Sequence, residues 1–315
     1  LLTVKMSIMK FERCPFVEMP DGKIVRMYPF HISMEGMESR ILCRNDEDYD
    51  VFIKTLVLST HKKLSSVVVY CVVSNHAHYI LLAHSYFTAL EIANEVKRIY
   101  SMYLTKKYSE KKVLKGIDVN VILIDSDRYL RNAIAYDIRN ALDNGANNVN
   151  EYEWSSFRSI FCNGKIQVPA RYVNSLSKRQ KRYIMRSHQK MDDVMWQINP
   201  SNALEPASIC DWKYVEGAFL NDHSFFMRSI GTVNSAEMKQ KLIDNFKERK
   251  SDQEMIKCVD DISCIWYNNH LNSLPIEKKA RLLPYIYRTY RTTPNQLARI
   301  FEISREKVFS LLNKK

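Results

Sequence analysis

Glycine and proline are scarce in this chain, 7 and 9 among 315 residues. That scarcity excludes a long flexible linker, and no glycine-rich loop of the kind that cradles nucleotide phosphates is present. No run approaches 18 consecutive apolar residues, so no membrane-spanning helix is expected. The opening LLTVKMSIMKFERCPF lacks a clean apolar signal core, and a cytoplasmic protein without a membrane partner is expected. The seven cysteines are odd in number and scattered, with no Cys-x-x-Cys pair. Neither a zinc ribbon nor a disulfide framework is indicated, and the thiols read as small, reduced, apolar residues.

Positive charge is what the chain does have. Its 47 Lys and Arg against 35 Asp and Glu give a formal charge of +12, which favours nucleic acid as a partner through counterion release. The segment 171–190, RYVNSLSKRQKRYIMRSHQK, holds seven of these cations and no acid. It reads either as a solvated helix face or as a strip contacting phosphates, with Lys178, Arg179, Lys181, Arg182 and Arg186 as the contact candidates.

The length suits two domains, or one domain with a large appendage. Residues 25–34 read as a strand, and 46–63 as a helix with an acidic first turn. The run SSVVVYCVVSN reads as a buried strand and HAHYILLAH as a second. A helix over 86–108 follows, then a strand at 119–124. Asp125-Ser126-Asp127 is capping chemistry for a helix that Gly145 stops. This order, β-α-β-β-α-β-α, predicts a small α+β sheet with helices on one face. After about residue 165 strand signals fade and the rest reads as helices. The last 24 residues, TTPNQLARIFEISREKVFSLLNKK, predict two short helices joined at EIS and packed through Leu297, Ala298, Ile303, Val308 and Leu311. That spacing fits a helix-turn-helix and also an ordinary helical hairpin. On the first reading Arg299, Arg305 and Lys307 face duplex DNA.

The sharpest local feature is Ser74-Asn75-His76-Ala77-His78. In a strand, positions i and i+2 share a face, so His76 and His78 can present two imidazoles to one divalent ion. The plainer alternative is a pair of histidines on a solvated sheet face. Tyr136 and Asn140, four apart on a predicted helix, also share a face. By themselves they read as a core aromatic and a surface polar residue.

Taken together, these segments resemble the HUH single-tyrosine transposases. YCVVSNHAHYILL resembles the strand carrying that family's histidine pair, and ESRILCRNDEDYDVFIKTL its first strand-to-helix junction. RYLRNAIAYDIRNALDNG resembles the tyrosine helix, where Tyr is followed four residues later by Asn. EYEWSSF resembles a Tyr-x-Trp-Ser-Ser pattern of the REP-associated branch. The matches keep the family's order within residues 25–160. Two positions depart: Ala141 stands where Pro commonly follows the Asn, and Val73-Ser74 where a Met is usual.

The resemblance implies a ferredoxin-like antiparallel sheet with helices as the catalytic domain, over residues 1–165. A basic connector (166–230) and a helical domain ending in the helix-turn-helix (231–315) would follow. It implies Tyr136 as nucleophile, with His76, His78 and Asn140 holding Mg²⁺ or Mn²⁺. The substrate would be hairpin-forming single-stranded DNA, cut to a 5′-phosphotyrosine and a free 3′-hydroxyl without ATP. His31, on the first predicted strand, is expected in a core or edge role with a place beside the site as the alternative, and His188 is a further phosphate-contact candidate. Tyr152, Trp154 and Phe157 would pack the domain's end or stack on unpaired bases. Two other functions fit the residues: a non-catalytic DNA-binding regulator using the C-terminal helices, and a metal-dependent hydrolase of small phosphates. Monomer and homodimer, and a site built in cis or in trans, both stay open.

Overall fold

Side chains alternate across a strand, so a strand that is apolar at nearly every position must be covered on both sides. The computed structural model describes residues 11–36, 41–110, 114, 117–162, 170–238, 250–290 and 292–312. It divides into two compact units, Leu1–Leu242 and Ile243–Lys315.

In the first unit a short hairpin, β1 (Phe16–Glu18) and β2 (Ile24–Arg26), precedes β3 (Tyr28–Gly36). Helix α1 (Asp46–His61) leads to β4 (Ser66–Val72) and β5 (Ala77–Ala83), and α2 (Tyr86–Tyr108) leads to β6 (Ile117–Leu123) and α3 (Asp127–Asp143). Strands β3 to β6 form one sheet in the order β4-β5-β3-β6, with every neighbouring pair antiparallel. The connectivity is therefore a split β-α-β-β-α-β. Smaller elements follow: β7 (Arg171–Tyr172), α4 (Lys178–Met185), β8 (Gln197–Ile198), α5 (Pro206–Ile209), α6 (Trp212–Ala218) and α7 (His223–Thr232).

All seven residues of β5 are buried. Phe30, Ile32, Met34, Tyr79 and Leu81 point into one core with α1 and α2, which Val173, Met185 and Ile198 also join. Ile80, Leu82 and Ile122 point into a second core with α3, α6 and α7. Helices thus cover both faces of the sheet, where the sequence suggested one. The continuous apolar character of β4 and β5 requires that second layer.

Helix starts follow their caps. The side chains of Asn45, Ser85 and Ser126 each accept a backbone N–H three residues on, opening α1, α2 and α3. Gly145, at φ +94°, takes the left-handed turn that stops the chain after α3.

Asp48, on α1, is buried and ties the two helices of its face together. It accepts Lys107 Nζ at 2.7 Å, Tyr108 OH at 2.7 Å, Tyr103 OH at 2.9 Å and the Arg44 amide at 2.9 Å. Burial pushes its carboxyl up, but the bonds from Lys107, Tyr108, Arg44 and Tyr103 outweigh it and hold the group below its ordinary range. A carboxylate depressed in the folded state stabilises the fold above its unfolded pKa of about 4, and that contribution is lost as pH falls through the folded value. Asp48→Ala is therefore expected to cost about 2–3 kcal/mol at neutral pH and to flatten the acid limb of the stability curve. Urea unfolding across the acid range checks this; an acid limb matching the wild type's contradicts it.

The second unit holds helices Asp252–Tyr267, Ile276–Thr289, Pro294–Phe301 and Arg305–Leu312. Ser251 and Glu254 form a capping box, and Thr293 caps the helix that Pro294 begins. Leu297, Ile300, Phe301, Val308, Leu311 and Leu312 are buried, and Glu302 makes the left-handed turn between the last two helices. Among the described residues, no helix is long and apolar enough to cross a membrane.

Candidate functional site

Strand alternation places the first site residues. Phe30, Ile32, Tyr79 and Leu81 face α1 and α2, so His31, Ser33 and His78 face α3. Register sets His78 directly opposite Ser33 on β3 and Cys71 on β4, and His31 opposite Ile80. His76 lies at the tight turn that enters β5, where its carbonyl accepts the Val73 amide at 2.9 Å. Across this surface α3 lays Tyr136, Asp137 and Asn140, all buried.

The four residues that carry the expected chemistry come together. The rings of His76 and His78 lie 5.0 Å apart, and those of His78 and Tyr136 5.2 Å apart. His76 Nε2 is 2.9 Å from Asn140 Oδ1, and His76 Nδ1 is 2.7 Å from Asn75 Oδ1. Burial pushes the Tyr136 phenol well above its usual range; Asn140 acts against that rise, while Glu35, Asp137 and Asp143 add to it.

Three further groups belong to the same surface. His31 Nε2 sits 2.9 Å from Asp137 Oδ1, with both side chains fully buried, and His31 Nδ1 is 3.5 Å from Tyr129 OH. Burial raises the Asp137 carboxyl, partly offset by His31, and Asp137 Oδ2 is buried without a hydrogen-bond partner. Glu35 Oε1 lies 3.5 Å from His78 Nε2. His31 is thus a buried residue that also neighbours the site, and Asp137 and Glu35 carry no local sequence signal. Only the apolar setting of His31 hinted that a buried partner was required.

The donor chemistry fits a divalent cation. The ligand atoms of His31, His78 and Asp137 lie within 4.8 Å of one another, and this buried set could hold a metal ion. The two other expected ligands, His76 and Asn140, meet each other beside His78. In the tautomer where His76 Nδ1 donates to Asn75, Nε2 turns its lone pair toward Asn140 Oδ1. The Asn140 oxygen is placed there by Asn144 Nδ2, which approaches it at 3.3 Å. In that tautomer two acceptors 2.9 Å apart could share a cation, whereas in the other His76 Nε2–H donates to Asn140 Oδ1.

The basic candidates divide. Lys178, Arg179 and Arg182 are exposed on α4, as is His188 beyond it. Lys181 is buried and ion-paired with Asp192, and Arg186 pairs with Glu47. In the second unit Arg299 makes two hydrogen bonds to Asp252, at 2.7 and 3.1 Å. Arg305 and Lys307 are exposed, the Arg305 guanidinium lying 5.4 Å over the Phe309 ring. Trp154 stacks on Tyr49 at 4.9 Å, Phe157 on Phe226 at 6.0 Å, and Tyr152 OH donates to Val72 O at 2.7 Å. These three aromatics are engaged in packing.

No family model and no curated protein matches the chain. Among solved structures, a REP-associated tyrosine transposase bound to a REP hairpin is similar over 48% of this chain and 84% of its own, at 13% identity and a TM-score of 0.33.

Proposed function

We propose that the first unit is a metal-dependent DNA strand transferase of the single-tyrosine type, on a ferredoxin-like sheet, acting on single-stranded, hairpin-forming DNA. The observation that carries this reading is the convergence of His76, His78, Tyr136 and Asn140 from two distant stretches of chain onto one surface. Such a set joins a nucleophile to a cation site, which neither a histidine pair on a solvated face nor an isolated core tyrosine would do.

His76, His78 and Asn140 are the ligands assigned to Mg²⁺ or Mn²⁺, in preference to the fully buried His31, His78 and Asp137. A catalytic ion needs an open coordination position, and the opening here is at exposed Ser74 and half-buried Asn75 and His76. An ion held there would polarise the scissile phosphate and balance its developing charge. The Tyr136 phenol, whose ordinary pKa is about 10 and which burial raises further, starts the reaction protonated. The phenolic oxygen attacks phosphorus and releases its proton as the new O–P bond forms. The P–O3′ bond breaks, and the leaving oxygen takes up a proton as a free 3′-hydroxyl. Attack by a 3′-hydroxyl on the phosphotyrosine reverses these steps and rejoins strands, so no nucleotide cofactor is required.

Lys178, Arg179 and Arg182 provide an exposed basic face for the DNA backbone. Replacing all three by Ala is expected to weaken binding evenly across sequences and to lower the slope of log K against log salt by about 2. Filter binding at several salt concentrations measures this, and an unchanged slope removes α4 from the interface.

The reading itself is tested by incubating the protein with labelled hairpin oligonucleotides and Mn²⁺, then separating under denaturing conditions. A protein-linked label that appears with Mn²⁺ and is absent with EDTA supports it. Tight binding without any linked product favours instead a non-catalytic regulator, which the exposed Arg305 and Lys307 would suit.

A further inference from the structure

The Ile243–Lys315 unit carries a cluster that the strand-transfer reading does not use. Asp260 and Cys264 are four apart on helix Asp252–Tyr267 and share a face. The helix ends at Asn268 in the left-handed conformation, its N–H bonded to Cys264 O at 2.9 Å, and the chain turns back over its own last turn. That return is fixed twice more. Ser263 Oγ donates to Asn269 O at 2.6 Å, and the amide of buried Leu271 donates to Asp260 Oδ1 at 2.7 Å. His270 is thereby placed over the helix, with Nδ1 2.8 Å from Asp260 Oδ2 and 3.7 Å from Cys264 Sγ. The three ligand atoms lie within 4.8 Å of one another.

We propose that Asp260, Cys264 and His270 form a divalent-cation site for a zinc-type ion. Bonds of about 2.0–2.3 Å put neighbouring ligands of a tetrahedral zinc roughly 3.3–3.8 Å apart, so the Cys264–His270 edge is already at the required length. The Asp260–His270 edge needs to open by only about half an ångström, within reach of the two side chains. A thiolate joined to an imidazole selects zinc or cobalt over magnesium. The Leu271 amide occupies Oδ1 of Asp260 and leaves Oδ2 as the ligand, the kind of backbone support that orients metal-binding carboxylates. Three protein donors leave a fourth position for water or for a donor brought by a partner. The ion would clasp the end of the helix to the turn at Leu271–Ser273.

Cobalt titration of the full-length, chelator-treated protein tests the site through the near-ultraviolet thiolate-to-cobalt band, and Cys264→Ser separates its thiolate from the other free cysteines, Cys71 opposite His78 included. The band is expected in the wild type and in His76→Ala, to be displaced by Zn²⁺, and to vanish in Cys264→Ser with helicity unchanged. His270→Ala, a substitution at an exposed position that does not endanger folding, is expected to lower cobalt affinity at least about tenfold. No band in the wild type, a band surviving in Cys264→Ser, or unaltered affinity in His270→Ala would each overturn the proposal and leave the Asp260–His270 bond as a simple loop clasp.

Discussion

Tyr136→Phe is expected to remove all covalent attachment of DNA, a loss of at least about 10³ in cleavage rate, while DNA affinity stays near that of the wild type. The substitution is narrow. The Phe ring keeps its packing 5.2 Å from His78 and 6.3 Å from His31. What disappears is the hydroxyl that attacks phosphorus, so the loss of activity is not a loss of packing. Tyr129 supplies the control, because its hydroxyl reaches the same surface through His31. Tyr129→Phe is expected to cleave at a rate close to that of the wild type. Gel assays of both variants against a hairpin substrate separate the two tyrosines. Residual adduct in Tyr136→Phe would mean that another nucleophile does the work.

Asp137→Leu is expected to destabilise the first unit by about 2–4 kcal/mol, and Asp137→Asn by less. His31 and Asp137 are both fully buried and hydrogen-bonded at 2.9 Å. Leucine fills the space but leaves His31 Nε2 without a partner in an apolar interior, whereas asparagine retains an acceptor oxygen. The pair also lies beneath His78, whose ring is 5.9 Å from that of His31. Loosening it should lower Mn²⁺ affinity about 10- to 100-fold, the usual consequence of losing a group that holds a ligand in place. Urea unfolding and Mn²⁺ titration followed by electron paramagnetic resonance read the two effects separately. Wild-type values for Asp137→Leu in both would mean that the buried pair neither supports the fold nor the cation site.

The part of the site that was legible in the sequence is the part written in short periods. His76 and His78 are two apart beside a strand, and Tyr136 and Asn140 four apart on a helix, so each pair announces a shared face without knowledge of the fold. The resemblance then joined the pairs. His31, Asp137 and Glu35 were not legible as partners, because long-range pairing brings them together. His31 and Asp137 are 106 residues apart, and only the β3–β5 register and the placing of α3 set them against each other. The order of strands and helices followed the caps and apolar runs closely, down to the helix that Thr293 and Pro294 begin. The second helical layer is not legible because α3, whose course the sequence predicts, packs on the sheet face opposite α1 and α2, and nothing local in a helix tells which face it will cover. For the cations, charge alone could not separate Lys178, which is exposed, from Lys181, which turns inward to Asp192 three residues later along the same helix.

The most direct test of a tyrosine-based strand transfer at this surface is to locate the DNA on the polypeptide. Trypsin cutting after Arg128, Arg131 and Arg139 separates Tyr129, on a three-residue peptide, from Tyr136 on Asn132–Arg139. Mass spectrometry of the digested adduct, after nuclease treatment, should find a nucleotide phosphate on Asn132–Arg139 alone. A nucleotide on any other peptide, or none after prolonged reaction with Mn²⁺ and hairpin DNA, would contradict the assignment of Tyr136 as the nucleophile.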